Sequence, residues 1–200
     1  MGEPRGILSD DFFVNRTAQE RAEERTIPLS RKEYDAYDSK KWEHTYFDGK
    51  SGGFVVTELD RYNEVVPDRK GGKESDSQRV FRQEREAAIK FASWGFKIEH
   101  LADRGVPGGN PDARILKEGA NVRVNGVLAD IKTLDTPRRF TRNVNRAFTR
   151  NHANLALVHL ACKRTDKYEE ALKTSIKDHF SDGRLHGYYY FDDDDRYYAF

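Results

Sequence analysis

The chain has 200 residues, of which 36% are hydrophobic and 34% are charged, and its formal net charge is +1 at pH 7. This length suits one domain with its own core plus an appended segment, and the polar composition indicates a soluble protein. The single cysteine excludes a disulfide framework within the chain, and no Cys-x-x-Cys or His-x-His cluster indicates zinc. We expect neither a signal peptide nor a membrane span, because the N-terminus lacks a basic start before an apolar run and every apolar stretch is short.

Residues 1–76 differ from the rest of the chain, because their apolar residues occur singly among charged ones. We interpret this segment as an N-terminal appendage and linker. Residues 17–25 have the composition of a short helix, and residues 42–59 predict a β-hairpin, because a glycine-rich turn precedes a β-branched run. Residues 67–78 are rich in glycine and charge, which is typical of a linker.

Residues 77–200 predict one α/β domain whose elements follow the order α-β-β-β-α-β-α, with an aromatic tail. The first helix begins with Ser77 as its N-cap and ends before Gly95. The pair Asn125-Gly126, between two β-rich runs, predicts the turn of a hairpin. The other predicted elements are strands at 96–102, 112–116 and 155–162, helices after Pro137 and over 166–180, and two aromatic strands around an acidic turn at 187–200.

Two aspartates and a lysine, Asp112, Asp130 and Lys132, stand in these strands. Alternate side chains of a strand share a face, so Asp130 and Lys132 point the same way, and Asp112 can lie beside Asp130. Two close carboxylates are costly without a cation between them, and Mg²⁺ commonly takes one or two protein carboxylates. We therefore predict a site for Mg²⁺, or another divalent cation such as Mn²⁺, with the backbone carbonyl of Ile131 as a further ligand. Lys132 beside the ion would orient or activate a water for attack on a phosphodiester.

A further carboxylate, Glu84, lies on the apolar face of the first predicted helix. A glutamate on a buried face needs a partner, and we predict that Glu84 points at the metal site and completes it. The alternative is that these residues form no site. In that case Asp112 is a turn residue, Asp130 and Lys132 belong to a surface strand, and Glu84 is a solvated charge. Their joint occurrence favours the site.

The motif Asn-Pro-Asp that ends at Asp112 and the motif Asp-Ile-Lys at 130–132, after a helix that carries Glu84, resemble the PD-(D/E)xK nuclease superfamily. Residues 79–162 are most similar to the C-terminal toxin domain of CdiA-type contact-dependent growth inhibition proteins. In that family a Glu precedes a Gly-aromatic pair by eleven residues, as Glu84 precedes Gly95. A longer interval before the third motif and the aromatic tail distinguish this chain from the family.

The resemblance implies a PD-(D/E)xK nuclease-like core (α-β-β-β-α-β) at residues 77–200, with the tail as a C-terminal β-hairpin. It implies a Mg²⁺-dependent endonuclease that is a bacterial toxin, cleaves tRNA in the cytoplasm of competing cells and is inhibited by a cognate immunity protein. Residues 43–56 also resemble stretches upstream of toxin domains in phage-head-like and polymorphic toxin proteins. Two alternatives remain open: a DNA endonuclease of the same superfamily, and a non-catalytic phage or nucleic-acid-binding module.

Five arginines occupy the predicted helix after Pro137: Arg138, Arg139, Arg142, Arg146 and Arg150. Four of them recur every four residues and so form a stripe on one helix face. Residues 131–150 contain a single acid, Asp135, so these arginines would repel one another without an anionic partner. We predict that the stripe holds the phosphates of a nucleic acid, against the alternative of an ordinary solvated face.

Overall fold

The computed structural model describes residues 27–65, 74–102, 111–117 and 126–200. The described chain forms one mixed sheet of eight strands with helices on its faces, which confirms the predicted α/β class. The strands are β1 (Trp42–Phe47), β2 (Phe54–Glu58), β3 (Lys97–His100), β4 (Ala113–Lys117), β5 (Val127–Leu134), β6 (Leu155–Leu160), β7 (Gly187–Phe191) and β8 (Tyr198–Ala199). The helices are α1 (residues 27–35), α2 (Asp76–Ser93), α3 (Phe140–Thr149) and α4 (Asp166–His179), with 3-10 helices at Leu59–Glu64 and Pro137–Arg139.

The strands lie in the sheet in the same order as in the chain. β2 and β3, β5 and β6, and β6 and β7 pair in parallel, and each of these connections contains a helix. The other neighbours are antiparallel, including the predicted hairpin of β1 and β2 and the aromatic tail of β7 and β8. From α2 to β6 the elements follow the predicted order α-β-β-β-α-β.

The hairpin assigned above to an N-terminal appendage is continuous with the sheet. Phe54 and Thr57 of β2 pair in register with Lys97 and His100 of β3. Other expectations for residues 1–76, such as the helix at 17–25 and most of the linker, lie outside the described residues, as does the first strand of the hairpin around Asn125. The described part of residues 1–76 therefore shares its sheet with the rest of the chain.

Helix α2 begins two residues earlier than its sequence predicts. The N-cap is Ser75, not Ser77, because the Ser75 side chain accepts a hydrogen bond from the backbone of Gln78 while the Gln78 side chain accepts one from the backbone N–H of Ser75. This reciprocal pair is a capping box, which satisfies two backbone donors that a helix start otherwise leaves unpaired. The predicted buried face of α2 is confirmed, and it includes Glu84.

Apolar side chains cover both faces of the sheet, because successive residues of each central strand point to opposite sides. On one face, α2 packs against β2 to β6 through residues such as Phe91, Ile98 and Leu157. On the other face, α3 and α4 pack against β5 to β7 around Phe140 and Val158. Tyr34 of α1 packs against Phe54 and Val56 of β2. No helix in the described ranges is both long and apolar enough to span a bilayer.

Candidate functional site

The sheet is split in its middle, next to the second half of β5. The last paired residues of β4 and β5 are Ala113 and Ala129, yet β5 continues to Leu134 and stays paired with β6 along its other edge. The chain before Ala113 turns towards β3, where the backbone carbonyl of Asp112 accepts a hydrogen bond from Leu101. We call the resulting gap between Asp112 and residues 130–134 the notch.

Asp112, Asp130 and Lys132 meet at the notch. The Lys132 ammonium lies 3.8 Å from Asp112 Oδ2, forms an ion pair with Asp130 Oδ2, and lies 3.3 Å from the backbone carbonyl oxygen of Ile131. The backbone N–H of Ile131 donates to Asp112 Oδ2 at 3.1 Å, where β4 would otherwise supply an acceptor. The side-chain alternation expected for β5 holds, because Ile131 packs into the core under α2 while Asp130 and Lys132 turn away from it.

Electrostatic strain accompanies this arrangement. Burial, together with the negative charges of Glu84 and Asp130, raises the pKa of Asp112 well above its usual value. Burial by itself would lower the pKa of Lys132, but the carboxylates of Asp112 and Asp130 outweigh it and raise that pKa. The single ammonium of Lys132 therefore cannot neutralise the carboxylates of Asp112 and Asp130 at the same time.

Asp130 is the most buried member of the group, with no exposed surface. Its Oδ1 accepts a hydrogen bond of 2.7 Å from the Asn151 amide, whereas its Oδ2 is in contact with Lys132 but accepts no hydrogen bond from the described residues. A buried carboxylate oxygen needs a cation beside it, and in this structure the Lys132 ammonium is that cation.

These residues suit an ion such as Mg²⁺, which keeps several waters, better than an ion that needs all of its ligands from the protein. Among the described residues, no group of three or more His, Cys, Asp or Glu side chains is placed to hold a metal ion by itself. Mg²⁺ does not need such a group, since it keeps several waters and uses one or two carboxylates. Asp112, Asp130 and the Ile131 carbonyl supply that number of hard oxygen ligands.

Glu84 reaches this region from α2, and it is already engaged. Its Oε2 lies 2.6 Å from an Arg61 guanidinium nitrogen and 3.4 Å from Nε2 of His100. Burial would raise the pKa of Glu84, but the contacts with His100 and Arg61 hold it below its usual value. Both contacts are made by Oε2 of Glu84, and neither involves its Oε1. Glu84 thus approaches the notch as predicted, but as the centre of its own buried ion pair.

A cavity of about 420 Å³ adjoins the notch. Residues of α2 form one wall, and α3 with the two residues after it forms the other, while β5 provides the floor. Its lining residues are Arg79, Val80, Gln83, Glu84, Ile131, Lys132, Thr133, Asn143, Arg146, Arg150 and Asn151. Four of these side chains are cationic and one is a carboxylate, so the cavity favours an anion.

The predicted arginine stripe is divided between two kinds of structure. Arg138 and Arg139 belong to the 3-10 helix, because α3 begins only at Phe140, so they do not continue the four-residue spacing of an α-helix. Arg146 and Arg150 line the cavity, whereas Arg142 does not. All five arginines are exposed, and none of their side chains forms an ion pair with the described residues.

Several residues at the site carry no clear signal in the sequence. Arg61 and Arg79 look like ordinary surface charges, and Asn151 stands in a polar loop. The fully buried His100 has a weak signal, since it is a polar residue at the end of a short buried strand.

Family models, curated proteins and solved structures were compared with the chain, and none gave a significant match.

Proposed function

We propose that the protein is a metal-dependent nuclease of the PD-(D/E)xK type that hydrolyses phosphodiester bonds at the notch. One observation carries the proposal: two carboxylates, a lysine ammonium and a backbone carbonyl converge beside a cavity with cationic walls. The order α-β-β-β-α-β around them agrees with the core of that superfamily. A surface strand or a turn would not bury Asp130 completely beside a second carboxylate.

Asp112, Asp130 and the Ile131 carbonyl would hold Mg²⁺, or another divalent cation such as Mn²⁺. When bound, such an ion polarises a phosphoryl oxygen and lowers the pKa of a bound water. The raised pKa of Asp112 supports this assignment, because it indicates negative charge that the protein alone does not balance, and Asp130 Oδ2 has only the Lys132 ammonium beside it and accepts no hydrogen bond from the described residues.

Lys132 acts as a fixed cation in this proposal. Two carboxylates hold its ammonium at the floor of the cavity, where it neutralises charge that develops on a phosphate oxygen and orients a water. Glu84 completes the negative side of the site, and Arg61 and His100 position it. Arg146 and Arg150 contact the substrate phosphates at the cavity, while Arg138, Arg139 and Arg142 extend the basic surface.

The biological setting in this proposal rests on the resemblance of residues 79–162 to the toxin domains of contact-dependent growth inhibition proteins. The substrate would then be tRNA, cleaved in the cytoplasm of a competing cell, and a cognate immunity protein would inhibit the enzyme. The basic walls of the cavity support a nucleic acid, and they suit RNA and DNA equally.

Incubation of the purified protein with tRNA, total RNA and plasmid DNA, each with Mg²⁺ and with EDTA, tests the proposal. We expect Mg²⁺-dependent cleavage of tRNA. Cleavage of plasmid DNA alone would identify a DNA endonuclease of the same superfamily. Binding without cleavage of any substrate would identify a non-catalytic module and would refute the enzymatic role.

A further inference from the structure

The cavity and the proposed catalytic group share one residue, Lys132. Its ammonium contacts both carboxylates, and its side chain, 22% exposed, forms part of the cavity floor. Asp130 has no exposed surface, so it cannot meet a phosphate that stays on the outer surface of the protein. A phosphate that reaches this group therefore has to enter the cavity.

The size of the cavity limits what can enter with that phosphate. A volume of about 420 Å³ is in the range of small-molecule sites, and it accommodates one nucleotide. It is too small for two whole paired nucleotides, and in a continuous duplex each nucleotide is held by its partner strand. A strand whose phosphate occupies the floor must be unpaired at that point or must release one base.

The lining has the chemistry of a nucleotide site rather than that of a bare phosphate site. Arg79, Arg146 and Arg150 supply positive charge, while Gln83 and Asn143 add side-chain amides from opposite walls. Asn143 Nδ2 donates to the backbone carbonyl of Arg139, and Gln83 Oε1 accepts from Arg79, so the Asn143 oxygen and the Gln83 nitrogen supply one acceptor and one donor to the edge of a base. Thr133 also lines the cavity, and its buried hydroxyl has no hydrogen-bond partner among the described residues.

We propose that the cavity between α2 and α3 binds one unpaired nucleotide, so that the protein acts on single-stranded segments of nucleic acid and not on intact duplex. This inference rests on the proposed function for its chemistry, and it deepens that function by naming the class of substrate. Arginine and lysine bind the phosphates, and the amides contact the base, which is the division expected for recognition of unpaired strands.

A matched pair of variants tests the proposal through binding. Asn143→Trp places a large ring in the cavity, whereas Asn145→Trp makes the same change two residues away at an exposed position outside the lining. Both are made in full-length protein that carries Asp130→Asn, so that the substrate survives. Fluorescence anisotropy in EDTA compares a 12-nucleotide single strand with the duplex of the same sequence, in RNA and in DNA. Gln83→Trp, from the opposite wall, repeats the test if Asn143→Trp does not fold.

We expect the single strand to bind at least about tenfold more tightly than the duplex, and Asn143→Trp to remove that preference while Asn145→Trp keeps it. Equal binding of strand and duplex, a preference that survives Asn143→Trp and Gln83→Trp, or no binding at all would overturn the proposal. The RNA and DNA arms identify the sugar that the cavity accepts.

Cleavage separates this inference from the proposed function. If the unsubstituted protein cuts strand and duplex at equal rates, the proposed nuclease function is supported and the inference of a single-stranded substrate is refuted. If the binding results are as expected but no substrate is cut with Mg²⁺, the assignment of the cavity to an unpaired nucleotide is supported and the proposed nuclease function is refuted.

Discussion

The backbone N–H of Ile131 donates to the Asp112 side chain at 3.1 Å, at the point where β5 loses its partner β4. In a strand the N–H and C=O of one residue point to the same edge, so the Ile131 carbonyl also faces the notch, where Lys132 contacts it. Asp112 thus satisfies the open edge of the sheet and at the same time lies beside Asp130. The split in the sheet is what brings two carboxylates and a carbonyl together.

Metal-free protein should lose stability as the pH rises, because of Asp112. Its folded pKa is raised by burial and by the charges of Glu84 and Asp130, so the folded state binds its proton more tightly than the unfolded state does. The contribution is fully present below the unfolded pKa of about 3.9 and is lost as pH rises through the folded pKa. Urea unfolding in EDTA should show Asp112→Asn gaining stability relative to the unsubstituted protein from pH 4 to pH 8. A difference that stays constant over this range would contradict the account.

Arg61→Ala should destabilise the protein far more than Arg85→Ala does. Arg61 and Glu84 are 13% and 9% exposed, and removal of one partner of a buried pair costs about 3–5 kcal/mol. Arg85 and Glu43 form a similar pair from the same region at 32% and 34% exposure, for which about 0–1 kcal/mol is expected. Chemical denaturation measures both variants. Equal losses would mean that Arg61 does not anchor Glu84.

Gly53→Ala should destabilise the protein, and Gly49→Ala should not. A Cβ at Gly53 would lie 2.0 Å from the carbonyl oxygen of Ala92 at the end of α2, while a Cβ at Gly49 meets nothing within 4 Å. Relief of the overlap requires the hairpin or α2 to move, at a cost of about 1–3 kcal/mol. Thermal unfolding should therefore show a single transition at lower temperature for Gly53→Ala. An unchanged transition would show that the N-terminal hairpin is not packed on the domain.

Structural features that follow from local periodicity were predictable from the sequence. The strands, the buried face of α2 and the shared face of Asp130 and Lys132 follow from alternation and helical spacing, which tertiary contacts did not override. The site's further partners were not predictable, because packing between distant segments decides them: Arg61 approaches Glu84 across 23 positions, and Asn151 approaches Asp130 across 21. The N-cap was missed for a local reason, since Ser75 and Ser77 are both suitable and only the Gln78 side chain distinguishes them.

Neutralising Arg146 and Arg150 together should flatten the dependence of nucleic-acid binding on salt. Both line the cavity and neither has an ion-pair partner in the described ranges, so each is free to contact a phosphate. Each lost contact lowers the slope of log affinity against log salt by roughly 0.7 to 0.9. Titrations at several salt concentrations, with Asp130→Asn protein in EDTA, measure the slope. An unchanged slope would mean that these arginines face solvent and hold no phosphate.

The central claim is that Asp112 and Asp130 form a divalent-cation site for phosphodiester cleavage. Its most direct test is the rate of Mg²⁺-dependent tRNA cleavage by Asp130→Asn, with Asp195→Asn as the matched control, because Asp195 is an exposed aspartate in the acidic turn of the tail. Circular dichroism establishes that both variants are folded. The account predicts that Asp130→Asn loses cleavage while Asp195→Asn cuts at the rate of the unsubstituted protein. Full activity in folded Asp130→Asn would place the reaction elsewhere and contradict the claim.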